Sequence, residues 1–270
     1  MFSLDLETDD NVKDLLIADL WEHGSTGVVE TELPKNRWLL RAFFDPKAGP
    51  DSLMLRFAAN NPRLEWHAER DWVAESRARW APLAVGRKFY LVPEWMDDPP
   101  PAGRFRIAIN PGLACGTGYH EATQLCIEAL EEYASAGITV LDVGTGAGIL
   151  SIVASRLGAG QIIACDTDPT AIEIAGAAFE RAGITALLFM GSAGTVRSAS
   201  ADLIVSNISA AAAIELAPEF LRCLRPAGRC IVSGFPFEES APVAEALDQT
   251  GWSIERKLVK GEWCAFVLSV

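Results

Sequence analysis

The stretch "LDVGTGAG", residues 141–148, sets Asp142 two positions before Gly144 and repeats glycine at 146 and 148. Glycines that follow an apolar run let a turn of backbone lie close against a ligand. A dinucleotide fingerprint asks for G-x-G-x-x-G. Here the pattern is G-x-G-x-G, with Ile149 where the third dinucleotide glycine would stand. The two ligands differ in charge. A pyrophosphate wants helix N-terminal amides aimed at it, whereas a methionine zwitterion with a sulfonium wants close backbone approach, an acceptor for its ammonium and few competing cations. Asp142 offers that ammonium negative charge, and Gly144 and Gly146 let the backbone approach. The spacing therefore favours S-adenosylmethionine, and a purely structural glycine turn is the alternative it leaves open.

A second acid narrows the ligand. Asp166, in "ACDTDP", follows Gly144 by twenty-two residues and ends the next apolar run. A carboxylate there suits bidentate capture of a ribose diol, a device that nicotinamide enzymes share, so it argues for an adenosine rather than for one cofactor. Asp168, before Pro169, reads as a helix N-cap. "GSAG", residues 191–194, falls where an adenine ring would lie and lacks the acid common there in related enzymes. Asn207, in "SNIS", ends the fourth run and offers both a donor and an acceptor; a turn asparagine bonded to its own backbone is the alternative.

These residues need a sheet to hold them. "TVLDVG", "QIIACD", "ALLFMG", "DLIVSNI" and "RCIVSGF" are short, apolar and rich in β-branched residues, as buried parallel strands are, and alanine-rich helical segments separate most of them. The last two candidates, "WSIERKLVKG" and "WCAFVLSV", form a hairpin, so an antiparallel pair closes an otherwise parallel sheet. That is the α/β, doubly wound arrangement of class I S-adenosylmethionine-dependent methyltransferases. Upstream, the signals run strand, helix, two strands, helix, strand, the order of a ferredoxin-like α+β sandwich. The expected organisation is a small N-terminal domain over 1–70, a linker over 71–104 with a short helix from Trp72 to Trp80 and a strand at "KFYLVP", and the large domain over 105–270.

Half of the 270 residues are hydrophobic, enough for a sizeable core. The formal charge of −13 disfavours contact with a phosphate backbone and suits a basic partner or simple solubility. Six cysteines without a C-x-x-C pair and three histidines without paired spacing predict buried thiols in a reducing cytoplasm and no metal site. The start, "MFSLDLETDDN", has neither region of a signal peptide, and no run is long enough for a membrane span. A cytoplasmic monomer is expected.

"PGLACGTGYHEAT", residues 111–123, carries a resemblance. It is similar to P-G-x-A-F-G-T-G-x-H-x-T-T of the bacterial PrmA family, which methylates large-subunit ribosomal protein eleven (L11). "DWV", "VGRKFYLVPEW", "VLDVGTGAGILSI", "DTDPTAI", "SNIS", "ELAPEFLRCLRPAGRCIVSG" and "GEWCAFVL" extend the likeness over nearly the whole chain. The resemblance implies a ferredoxin-like domain that recognises the substrate protein, a flexible linker and a methyltransferase domain. It maps cofactor contacts onto Thr123, Gly144, Asp166 and Asn207, of which Thr123 comes from the family alone. Cys115, Ala122 and Ser209 depart from the pattern without removing a mapped residue. Methyl transfer to an amine needs a neutral acceptor; Asn207 is the candidate to hold it, and His120 is the one candidate for proton transfer, beside a plain loop role. Tyr119 reads as an exposed loop residue or a channel wall. The alternatives are a lysine methyltransferase of another protein, such as an electron-transfer flavoprotein subunit, a NAD-dependent oxidoreductase, and a non-catalytic cofactor-binding module.

Overall fold

A computed structural model of the chain describes residues 1–67, 77, 80–110 and 118–270. The chain divides into two compact units, Met1–Arg79 and Trp80–Val270. Cys115, the start of "PGLACGTGYHEAT" and, apart from Arg77 and Trp80, the helix expected from Trp72 lie outside the described residues.

In the first unit, strands β1 (Phe2–Asp9), β2 (Ser25–Leu33), β3 (Arg37–Phe44) and β4 (Arg63–Trp66) form one antiparallel sheet in the order β2-β3-β1-β4. Helices α1 (Lys13–Glu22) and α2 (Pro50–Arg56) complete the ferredoxin-like order. The period of two in "FSLDLE" decides which face is buried. Phe2, Leu4 and Leu6 are fully buried with Leu40, Ala42 and Phe44, while Leu16 and Leu20 of α1 and Leu53 of α2 belong to the same core. The intervening acids pair across the sheet: Asp5 takes both Nε and Nη2 of Arg41 at 2.6 and 2.7 Å, and Glu7 takes Arg37. Lys35 and Asn36, at φ 67° and 55°, turn β2 into β3.

The second unit begins with a three-stranded sheet of β5 (Leu83–Val85), β6 (Phe89–Pro93) and β7 (Phe105–Ile109). Its buried Val85, Phe89, Leu91, Ile107 and Ile109 share a core with helices α3 (Glu121–Tyr133) and α4 (Ile149–Arg156). The larger unit therefore starts at Trp80, not at 105, because the segment expected to be linker buries its own apolar residues. The main sheet holds β8 (Thr139–Val143), β9 (Gln161–Asp166), β10 (Leu187–Met190), β11 (Ala201–Asn207), β12 (Leu224–Pro236), β13 (Ser253–Lys260) and β14 (Trp263–Ser269). Their order is β10-β9-β8-β11-β12-β14-β13, and β14 is antiparallel to both its neighbours. The terminal hairpin folds back so that its last strand, not its first, joins β12. Alternate residues face two cores: Val140, Val205, Ile231 and Val267 meet α3 and α4, while Leu141, Ile204, Val232 and Phe266 meet α6 (Ala210–Cys223) and α7 (Ser240–Gln249). Helix α5 (Pro169–Ala182) starts from Asp168, whose side chain accepts the Thr170 N–H at 2.8 Å, the cap expected from Asp-Pro. Cys126, Cys165, Cys223, Cys230 and Cys264 are buried and free. Burial pushes the Cys165 thiol up to about 12, so it stays protonated and inert.

Helix α3 carries a buried carboxylate that anchors the small sheet. Glu131 accepts the Arg87 and Lys88 N–H groups at 2.8 and 2.7 Å and so pins the β5–β6 turn to the helix. Glu131→Ala removes the charged acceptor of both N–H groups and should lower stability by about 2–3 kcal/mol. Urea unfolding measures this, and an unchanged midpoint would show that the carboxylate does not hold the turn.

Candidate functional site

The glycine turn leaves the carboxyl end of β8 and enters α4. Gly144 and Thr145 both donate their N–H to the Cys165 carbonyl, at 2.9 and 3.0 Å, and the Ser206 hydroxyl donates to the Val143 carbonyl at 2.9 Å. The turn is thus tied to the strands on either side of it. Two glycines are required by close approach. A Cβ at Gly144, where φ is +73°, would stand 2.6 Å from Cγ2 of Ile208. One at Gly234, where φ is +101°, would stand 2.2 Å from the Ile208 carbonyl oxygen. Ile208 is therefore wedged between two bare stretches of backbone, which brings the end of β11 against the turn.

Above the turn lies a cavity of about 860 Å³. It brings together six of the seven residues singled out in the sequence: His120, Thr123, Gly144, Gly146, Asp166 and Asn207. Asp166 ends β9, and its Oδ2 accepts the Gly146 N–H at 2.9 Å while Oδ1 accepts the Asp168 N–H at 3.0 Å. Each oxygen keeps a lone pair, so the carboxylate can still take two hydroxyls. Asn207 donates from Nδ2 to Oγ1 of Thr123 at 2.9 Å. That bond uses one of the two N–H groups and holds the amide in place, and Asn207 lines the cavity with its other N–H and its oxygen still to be paired. Thr123 itself is almost wholly buried in the first turn of α3.

His120 is the N-cap of α3. Its Nδ1 accepts the Ala122 N–H at 3.3 Å, and its ring stands edge-on to Trp263 with centroids 4.2 Å apart. The nitrogen free to accept a proton is thus engaged by the helix, which favours a cap over a base. Tyr119 is half-buried and donates to the Ala81 carbonyl, so it braces the start of the unit. "GSAG" contributes Gly191 and Ser192 to the cavity wall. Glu215 of α6 and Trp263 of β14 also line it. Glu215 was not singled out in the sequence, where an exposed helical glutamate looks like any solvated one; its signal is the i, i+3, i+4 spacing with Ala212 and Leu216, which line the same cavity. Trp263 was visible only inside "GEWCAFVL". Among the described residues no acid, cysteine and histidine cluster fits a metal.

Asp142 differs from its expected placement. It is fully buried beneath the turn and does not line the cavity. A strand buried on both faces sends alternate side chains away from the crevice. The Oδ2 of Asp142 accepts the Thr145 and Ser151 hydroxyls at 2.8 and 2.7 Å, so it clasps both ends of the turn, while Oδ1 has no partner among the described residues. Burial pushes its carboxyl up to about 6, against the pull of the two hydroxyls, and the nearby Asp166 charge adds to the rise.

The folded state therefore holds the Asp142 proton more tightly than the unfolded chain does. Its contribution to stability is greatest below about pH 4 and declines as pH rises towards 6. Asp142→Asn keeps an acceptor for both hydroxyls and removes the titration. The stability of the variant relative to the parent should rise by on the order of 3 kcal/mol between pH 4 and pH 7. Denaturant titrations at several pH values measure that gap, and a gap independent of pH would refute the buried charge.

The family described as ribosomal protein L11 methyltransferase (PrmA) matches residues 4–270 of the chain. A ribosomal protein L11 methyltransferase of Gloeobacter violaceus is 35% identical over 249 residues, covering 88% of this chain and 78% of that protein. One of Parasynechococcus marenigrum is 34% identical over 247 residues, covering 86% and 83%. The crystal structure of a ribosomal protein L11 methylase from Lactobacillus delbrueckii subsp. bulgaricus superposes with a TM-score of 0.64 at 31% identity, over 70% of this chain and 98% of that one. With the motifs of the glycine turn, Asp166 and Asn207 gathered in one cavity, the chain belongs to the PrmA family of ribosomal protein L11 methyltransferases.

Proposed function

We propose that this chain transfers methyl groups from S-adenosylmethionine to lysine side chains, and to the N-terminal amine, of ribosomal protein L11. The observation that carries the proposal is the pairing of Asp166 and Asn207 on one cavity. A carboxylate steadied by the Gly146 N–H can hold a ribose diol, and Asn207, held by its bond to Thr123, lines the same space. The residues fit the cofactor: Gly144 and Gly146 present bare backbone to the cavity, and Asp166 takes the diol. Family membership sets aside the nicotinamide oxidoreductase.

S-adenosylmethionine, when bound, supplies a methyl group already activated on a sulfonium. What is left to the protein is positioning and the exclusion of water, worth up to about 7–11 kcal/mol in favourable cases. Burial of the acceptor lysine lowers its pKa and frees the lone pair. The Asn207 oxygen accepts a hydrogen from the resulting amine and orients it. His120 keeps α3, and with it Thr123, in place through its cap, and its Nδ1 is engaged there instead of serving as a dedicated base. The formal charge of −13 favours a basic protein substrate. We place the enzyme in the cytoplasm; no described helix is long and apolar enough to cross a membrane.

Incubation with labelled S-adenosylmethionine and purified L11, followed by mass spectrometry of the modified peptides, tests the proposal. Label on lysine ε-amines is expected. Cofactor binding without transfer to L11 would overturn it. Asp166→Ala removes a charged acceptor of two hydroxyls and should weaken cofactor binding about 100-fold with the fold intact. Calorimetry reads this directly, and an unchanged affinity would move the ribose elsewhere.

A further inference from the structure

Among the described residues, two acidic side chains line the cavity, Asp166 and Glu215. Asp166 is held by backbone N–H groups at both oxygens. Glu215 is exposed and, among the described residues, has neither an ion pair nor a hydrogen bond. Its position on α6 says which part of the cavity it serves. Glu215 and Arg222 are seven residues apart, two turns, and so lie on one ridge of the helix. Arg222 reaches the Ala193 carbonyl at 2.9 Å and the Val196 carbonyl at 2.7 Å, and the Cys223 thiol meets the Ala193 carbonyl at 3.4 Å. That ridge therefore faces the segment after β10. Two turns nearer the helix N-terminus it carries Glu215, which lines the same cavity as Gly191 and Ser192. Helical side chains lean towards the N-terminus, which carries the Glu215 carboxylate further towards the opening.

This is the side of the cavity next to Asp166, one strand over from the ribose position. An adenine placed there meets no acid in the loop "GSAG" itself. We infer that Glu215 reads the exocyclic amino group of the adenine, standing in from α6 for the acid that the loop lacks. The inference rests on the S-adenosylmethionine reading of the cavity. A carboxylate accepts a hydrogen bond from an amino group and repels a carbonyl oxygen, so it discriminates between the two where a hydroxyl would not. The competing use, attraction of the substrate ammonium, would suit a carboxylate on the opposite wall, near Thr123 and Trp263.

The test is calorimetric binding of S-adenosylhomocysteine and S-inosylhomocysteine, which differ at the exocyclic position, to the full chain. The parent protein should prefer the adenosyl compound by at least about tenfold, as sites built to pair a donor reject analogues that lack it. Glu215→Gln can donate as well as accept, so the preference should shrink towards unity, and Glu215→Ala should lose it too. Exposure of Glu215 leaves both variants folded. An unchanged preference in both variants, with tight adenosyl binding, overturns this inference alone. Binding of neither compound by the parent protein overturns it together with the cofactor reading.

Discussion

The strand order reverses between β8 and β11, and the functional part of the second unit hangs on that reversal. Chain leaving β8 turns towards β9 and β10, while chain leaving β11 turns towards β12, so their carboxyl ends open a crevice. The two strands are nevertheless locked in parallel register, with Val205 opposite Asp142 and Ser206 opposite Val143. The Ser206 hydroxyl on the Val143 carbonyl fixes the last step before the glycine turn. Crevice and register together give a gap with rigid lips, bordered by a glycine turn on one side and Asn207 on the other.

The chemistry of those lips is weighted to one sign. Asp142 beneath the turn, Asp166 on the wall and Glu215 on α6 are all acids, and the groups acting on the Asp142 carboxyl are two hydroxyls, the Ser151 backbone and another acid. A buried carboxylate without a cation is costly unless hydrogen bonds offset it. Here Thr145 and Ser151 do so in part, which makes Asp142 a fixed source of negative potential under the backbone that would meet a cationic ligand.

Much of this was legible in the sequence because buried parallel strands are short, apolar and punctuated, and because an acid at a strand end has few other uses. The β8 and β9 runs, the cap at Asp168 and the gathering of Asp166, Gly144 and Asn207 follow from local pattern. Three things did not. The side to which Asp142 points depends on the twist and burial of β8, not on its distance from Gly144. The place of residues 83–109 depends on the long-range packing of Phe89 and Ile107 on α3, which no local signal carries. Glu215 reaches the cavity only because α6 lies against the segment after β10, a contact between residues about thirty apart.

The bond from Asn207 to Thr123 closes a loop of 84 residues. Neither partner has a reason to adopt its geometry until α3 has docked and β11 has been inserted between β8 and β12. Chain closure over such a span is entropically unfavourable until the intervening sheet is in place. The pocket is thus a property of the completed unit and has no counterpart in a partly folded one. A ligand held there stabilises the whole unit by mass action instead of stiffening one loop. Occupancy and the folding of this unit are then linked, and the ligand's concentration relative to its dissociation constant sets how much stability the unit gains.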